Sequence, residues 1–115
     1  MYGVTRTRRG SGRKEHEMFA AIRYYRAEPD SVDEVARRVQ EDFVPIIRET
    51  EGFVSYFVLD PGGREGAIVS VSVFEDRESA EESNRKAEDW VSQNMSELVV
   101  SPEFAAGQIV VYESR

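Results

Sequence analysis

Apolar and polar positions along the chain follow two rhythms, and their order predicts four strands and two helices. Met18 to Ala27 is rich in aromatic and β-favouring residues and reads as strand one, broken by Glu28-Pro29-Asp30. Ser31 and Glu34 then stand at capping-box spacing, where each side chain satisfies the other's free N–H. Val32, Val35, Ala36, Val39, Phe43, Ile46 and Ile47 recur at three- and four-residue steps, the mark of an amphipathic helix. Pro45 is expected to kink that helix or end its regular part, and Gly52 closes the segment.

Phe53 to Asp60 reads as strand two, Asp60-Pro61-Gly62-Gly63 as a turn, and Ala67 to Glu75 as strand three. Asp76 is placed to cap a second helix running to about Val99, and Ser101-Pro102 is expected to break the chain. Strand four is expected at Gln108 to Tyr112. The order β-α-β-β-α-β defines an α+β, ferredoxin-like arrangement with one antiparallel sheet. Right-handed crossovers put both helices on the same face of it.

The other face then needs a cover. In strand two Phe53, Phe57 and Leu59 point one way and Val54, Tyr56 and Val58 the other, so both faces are apolar. Strand four repeats this, with Ile109 and Val111 opposed to Val110 and Tyr112. A large contiguous apolar surface normally marks a contact, and a second copy of the sheet is the simplest partner. A homodimer is expected.

Candidate chemistry sits where polar residues interrupt this pattern. Strand three presents Val69, Val71 and Val73 on a face suited to packing under helices. Its opposite face, with Ile68, Ser70, Ser72 and Phe74, suits a pocket between sheet and partner, or simply solvent or the dimer seam. In the second helix Ala80, Ala87, Val91 and Leu98 form the inward stripe. Asn84 and Asn94 lie close to it, so their amides either pair with backbone or line a wet cavity. Trp90 flanks the stripe as core, rim or ligand contact. Arg23 alternates with Phe19, Ala21 and Tyr25 in strand one. Its guanidinium either holds an anionic or enolate oxygen or pairs with an acid across the dimer. Tyr25 and Phe74 join the candidate substrate contacts.

Composition narrows the classes. With 115 residues and 40% apolar content, one modest core is expected. There is no cysteine, which removes thiolate nucleophiles, disulfides and Cys-based metal sites. The single histidine, His16, falls outside the expected fold, so no metal site is expected in the body. No glycine pattern resembles a phosphate-binding or dinucleotide fingerprint. Residues 1–17 carry five basic side chains against two acids, net +3, within a total of −7, leaving −10 for the rest. Such an acidic body repels phosphate backbones, so nucleic acid is not the expected partner. The basic stretch reads as a solvated tail ahead of a domain spanning 18–115, with a nucleic-acid or membrane-surface arm as the lesser reading. No membrane span or secretory signal is visible, and a cytoplasmic location is expected.

Three stretches carry a family resemblance. Glu51-Gly52-Phe53-Val54-Ser55-Tyr56 is like an x-G-F-x-x-Y approach into strand two. Val73-Phe74-Glu75-Asp76 with Ser79-Ala80 is like a strand ending in an aromatic before the next helix, and the helix containing Asn84 is the third. Together these resemble antibiotic-biosynthesis-monooxygenase-like (ABM) domains of the dimeric α+β barrel superfamily. The resemblance implies a homodimer with sheets face to face and a cavity between sheet and helices. It also implies one of several activities, among them cofactor-free oxygenation of aromatic phenols and haem degradation. Where many members have tryptophan before the second helix this chain has Phe74, and where many have histidine within it this chain has Asn84. Haem degradation is therefore disfavoured. The expectation is a cofactor-independent monooxygenase of a small phenolic or quinol substrate, with Asn84 and Arg23 as catalytic residues. Ser70, Ser72, Tyr25, Phe74, Trp90 and Asn94 would contact the substrate. The alternative is a non-catalytic dimeric domain that binds a small apolar ligand or serves in stress or regulation.

Overall fold

A computed structural model describes residues 17–62 and 66–115. The basic stretch through Lys14, His16, and Gly63 of the expected turn lie outside the described residues. Strands β1 (Phe19–Ala27), β2 (Phe53–Leu59), β3 (Ala67–Phe74) and β4 (Val99–Gln108) form one sheet in the order β2-β3-β1-β4. Every neighbouring pair is antiparallel. One helical rod follows β1: a 3-10 turn Pro29–Ser31, α1 (Val32–Arg38), a π-turn Val39–Phe43 and α2 (Val44–Arg48). The second helix, α3 (Arg77–Asn94), joins β3 to β4. This is an α+β, ferredoxin-like fold.

The core lies between the sheet and the helices, where Ala21, Tyr25, Val35, Phe43, Ile68, Phe74, Ala87 and Met95 are buried. Among the described residues, nothing covers the opposite face of the sheet in this way. Ile22, Phe57 and Leu59 on it are 43%, 46% and 50% exposed. Asp76 caps α3 as expected, its carboxylate accepting from the Ser79 N–H at 2.8 Å. After β2, Gly62 stands at φ +80° and donates its N–H to Asp60 Oδ1 at 2.9 Å. Gly66 is irreplaceable on steric grounds. A Cβ there would come 1.9 Å from the Ala27 carbonyl oxygen, while its own carbonyl accepts from the Ala27 N–H at 2.8 Å.

Several expectations need correction. The capping box at Ser31 does not form: Ser31 makes no side-chain cap. Glu34 instead accepts from Arg37 Nη2 at 2.6 Å and Arg38 Nε at 2.8 Å, which holds its carboxyl down to about 2. Pro45 is met by an interruption of the regular α-helix, which gives way to the π-turn after Arg38, while the helical rod itself continues to Arg48. The proline ring crowds the carbonyl four residues back, at Glu41, and the helix relieves this by widening: the Val44 N–H reaches Val39 O, five residues back.

The second helix stops at Asn94 rather than near Val99. Side chains occupy its last carbonyls, with Asn94 Nδ2 donating to Trp90 O at 2.9 Å and Arg38 Nη1 to Asn94 O at 2.8 Å. Ser101-Pro102 does not interrupt the chain; both residues lie inside β4, and Ile109 to Tyr112 follow that strand instead of forming it. A proline is tolerated there because β4 is an edge strand with a bulge. Two steps along β1, from Tyr24 to Arg26, match three on β4, from Glu103 to Val100.

Two faces are also reassigned. A register shift in β2 between Phe53 and Ser55 reverses the alternation. Phe53 therefore packs with Tyr56 and Val58 against the core, not with Phe57 and Leu59. In β3 it is Ile68, Ser70, Ser72 and Phe74 that lie buried beneath the helices, while Val69 and Val71 face the open side. The serines thus belong to the interior of one subunit and not to a dimer seam.

Candidate functional site

The period-two alternation of β1 drives Ala21, Arg23, Tyr25 and Ala27 to the helix side of the sheet. Arg23 is paired in register with Ser70 on β3 and Phe104 on β4, at the centre of that face. Its side chain is completely buried, at 0% exposure. Nε donates to Ser70 Oγ at 2.8 Å and Nη2 to Ser72 Oγ at 3.1 Å. Nη1 donates to Asn84 Oδ1 at 2.9 Å and, at 3.4 Å, to Ser83 Oγ. The Ser72 and Ser83 hydroxyls are 3.1 Å apart, and Ser83 donates to Ala80 O at 2.6 Å. The guanidinium carbon stands 5.8 Å from the Phe43 ring centroid and 5.9 Å from that of Tyr56.

Every hydrogen-bond acceptor in this cage is neutral, and no described acid forms an ion pair with Arg23. The expected acidic partner across a dimer does not arise, because the side chain points into its own subunit. Burial presses the Arg23 pKa down, and the neighbouring Tyr56 and Tyr25 phenols oppose that by favouring the cation. An arginine stays charged even so. The fold therefore holds a full positive charge in its interior, with dipoles and aromatic faces around it and, among the described residues, no countercharge.

Beside the cage runs a narrow apolar cleft lined by Tyr25, Val39, Phe43, Tyr56, Ser70 and Trp90, among others. Its free volume is about 10 Å³, room for about one water molecule. Phe43 anchors its aromatic wall, with ring centroids 5.4 Å from Trp90 and 5.9 Å from Tyr56. Burial raises the Tyr25 pKa to about 12, against the pull of Arg23. Tyr56 is also raised by burial, while the neighbouring Ser70 and Arg23 act on it in the opposite sense. Both phenols are neutral at physiological pH.

Arg23, Ser70, Ser72 and Asn84 thus come together, and Tyr25, Ser70 and Trp90 line the cleft. Asn84 is not the wall of a wet cavity: its Nδ2 donates to Ala105 O at 3.0 Å, tying α3 to β4. Phe74 lies in the core against Phe53, at 6.0 Å between ring centroids, and not on the cleft. Asn94 is exposed at the end of α3, away from the cluster. Ser83, Tyr56 and Phe43 belong to the site but were not singled out from the sequence. Ser83 was findable, since it falls on the Ala80–Ala87 stripe as a polar residue among alanines. Among the described residues no group of acids or histidines is arranged to hold a metal, and no helix is long and apolar enough to cross a membrane.

A four-stranded antiparallel sheet with helices on one face, and a polar cluster between the two layers, defines a ferredoxin-like α+β protein with an internal site. The chain belongs to the antibiotic biosynthesis monooxygenase family, whose model matches residues 18–90. Solved structures share the fold at low identity. A dimeric ferredoxin-like protein from an uncultured marine organism is 10% identical, with 92% of this chain and 99% of that one aligned and a TM-score of 0.68. The haem degrader MhuD of Mycobacterium tuberculosis is 12% identical, covering 84% and 99%, with a TM-score of 0.66. The monooxygenase ActVA-Orf6 of Streptomyces coelicolor, solved with nanaomycin D, is 16% identical, covering 84% and 89%, with a TM-score of 0.62. No curated protein matches this chain by sequence.

Proposed function

We propose that this protein is a cofactor-independent monooxygenase of a small phenolic or quinol substrate, working as a homodimer in the cytoplasm. Arg23, buried with no described acid to pair it and set beside an aromatic-lined cleft, carries this reading. A cation enclosed in low dielectric without a countercharge favours any ligand that brings a negative oxygen. A phenol bound here loses its proton more readily, and the resulting phenolate is electron-rich enough to reduce dioxygen directly. The substrate supplies all four electrons and is oxidised to a quinone: one oxygen atom enters the ring, and the other leaves as water with the two hydrogens that the substrate gives up. Asn84, Ser70, Ser72 and Ser83 keep the guanidinium in place throughout.

The cleft must widen to admit an aromatic ring, and the π-turn forms part of its wall. Val39 and Phe43 both line the cleft and both belong to that turn. Wide i to i+5 turns of this kind recur at functional sites. The homodimer rests on the open sheet face, where Ile22, Phe57 and Leu59 would otherwise stay in water. Oxygen consumption with a panel of anthrone-like and quinol compounds tests the activity. Uptake that weakens in Asn84→Ala is expected, and no uptake across the panel would defeat it.

The near-filled cleft supports a second reading, a non-catalytic dimeric domain that binds a small ligand or serves in stress or regulation. It predicts ligand-dependent thermal stabilisation without oxygen consumption.

A further inference from the structure

Beside the inner cleft lies a wider groove between the helical rod and β2, with a free volume of about 430 Å³. Val39 and Tyr56 line both, so these two side chains stand where one space meets the other. We infer that the groove is the outer half of the substrate site, and that Arg48 at its end binds a carboxylate or similar anionic substituent on the phenol held in the cleft. This deepens the proposed function and rests on its phenol-binding cleft.

The groove follows from the helical period. Ala36, Gln40, Val44 and Arg48 recur at four-residue steps and give the rod one stripe along it. On the other side β2 is an edge strand of the described sheet, and it lines the groove with Phe53 and Phe57. The inner cleft has room for about one water molecule. The groove, by contrast, has the volume of a small-molecule site, roughly 300–1,000 Å³. A substrate whose reacting ring enters the cleft leaves the rest of its body in the groove.

Charge decides what that body carries. Among the described residues, Arg48 is the one charged side chain lining the groove. The other arginines of the rod are neutralised, Arg37 by Glu34 and Glu41, and Arg38 by Glu34. Arg48 is exposed and has no such partner among the described residues. Its sequence neighbours Glu49 and Glu51 line a separate groove with Asp76 and Lys86. A planar fork of donors, unpaired at the end of an apolar and aromatic channel, suits a carboxylate. Phe57 also belongs to the open sheet face assigned to the homodimer, so a second copy is the competing occupant.

The test uses the whole chain and two probes of one shape, 6-hydroxy-2-naphthoate and its primary amide, followed by their own fluorescence. The wild type should bind the carboxylate about fivefold more tightly, the scale of one solvated ion pair, and added salt should narrow the gap. Arg48→Gln should bring the carboxylate down to the amide and leave the amide unchanged, while Arg48→Lys should keep part of the preference. Gln40→Trp, at an exposed position on the same stripe, should weaken both probes by narrowing the groove. Equal binding of the two probes by the wild type, no binding of either, a preference that survives Arg48→Gln, or undiminished binding in Gln40→Trp would overturn the inference. So would dissociation of the dimer in Arg48→Gln, read by sedimentation, which would give the groove to a second copy. Oxygen uptake with the anthrone-like panel in any of those cases leaves the monooxygenase reading standing. A charge preference without uptake would leave the outer subsite standing alone.

Discussion

Arg23 Nη1 on β1 donates to Asn84 Oδ1 on α3 at 2.9 Å, across the layer that separates sheet from helix. Asn84 passes the connection on to the Ala105 carbonyl of β4 at 3.0 Å. One amide therefore orients the buried cation and pins a helix to an edge strand. Removing it affects the site and the fold together, and the two effects can be measured apart.

Asn84→Ala leaves Arg23 with one acceptor fewer in a buried setting. The loss is about 1–3 kcal/mol of unfolding free energy, to be read by urea denaturation. A variant as stable as the wild type would mean that Arg23 finds another acceptor at once.

Arg23→Lys is expected to be more damaging, although it conserves charge. The planar guanidinium meets Ser70, Ser72, Ser83 and Asn84 in three directions. A single ammonium on a flexible stem cannot span them and is harder to desolvate. Destabilisation of about 2–4 kcal/mol is expected, with a clear fall in melting temperature as the readout.

Alkaline pH should loosen the protein through Tyr25. Its pKa rises from the ordinary 10.0 to about 12 in the fold. Between those values the folded chain holds a proton that the unfolded chain has released, so stability is full below pH 10 and falls as pH rises towards 12. Two pKa units correspond to roughly 3 kcal/mol. Tyr25→Phe should flatten that part of the stability curve, and an unchanged slope would contradict the assignment.

The open sheet face gives a separate prediction. In the proposed homodimer, Phe57→Asp would place a charge among Ile22, Leu59 and their counterparts on a second copy. It should convert the dimer to monomer in sedimentation at micromolar concentration. Sedimentation of the wild type itself as a stable monomer would remove the dimer altogether.

Much of the architecture was legible because it depends on local periodicity. Strands one to three, the Asp76 cap and the helical rod all lie where alternation and three-to-four spacing put them. Strand four was misplaced because Pro102 reads as a breaker, and only an edge position with a bulge makes room for a residue without an N–H. Pro45 shows the same limit: the side chain's steric demand is visible in the sequence, but the widened turn that meets it is a response of the folded rod.

The site divides in the same way. Alternation alone put Arg23 on one face with Tyr25, and Ser70 with Ser72, because neighbouring side chains in a strand must point to opposite sides. Which of those faces goes under the helices was decided by tertiary structure, since β2 and β3 are apolar on both sides and period two is silent about which one is covered. Burial of a cation among neutral partners arises only when β1, β3 and α3 converge on one point, and a pattern read along one dimension carries no term for that convergence.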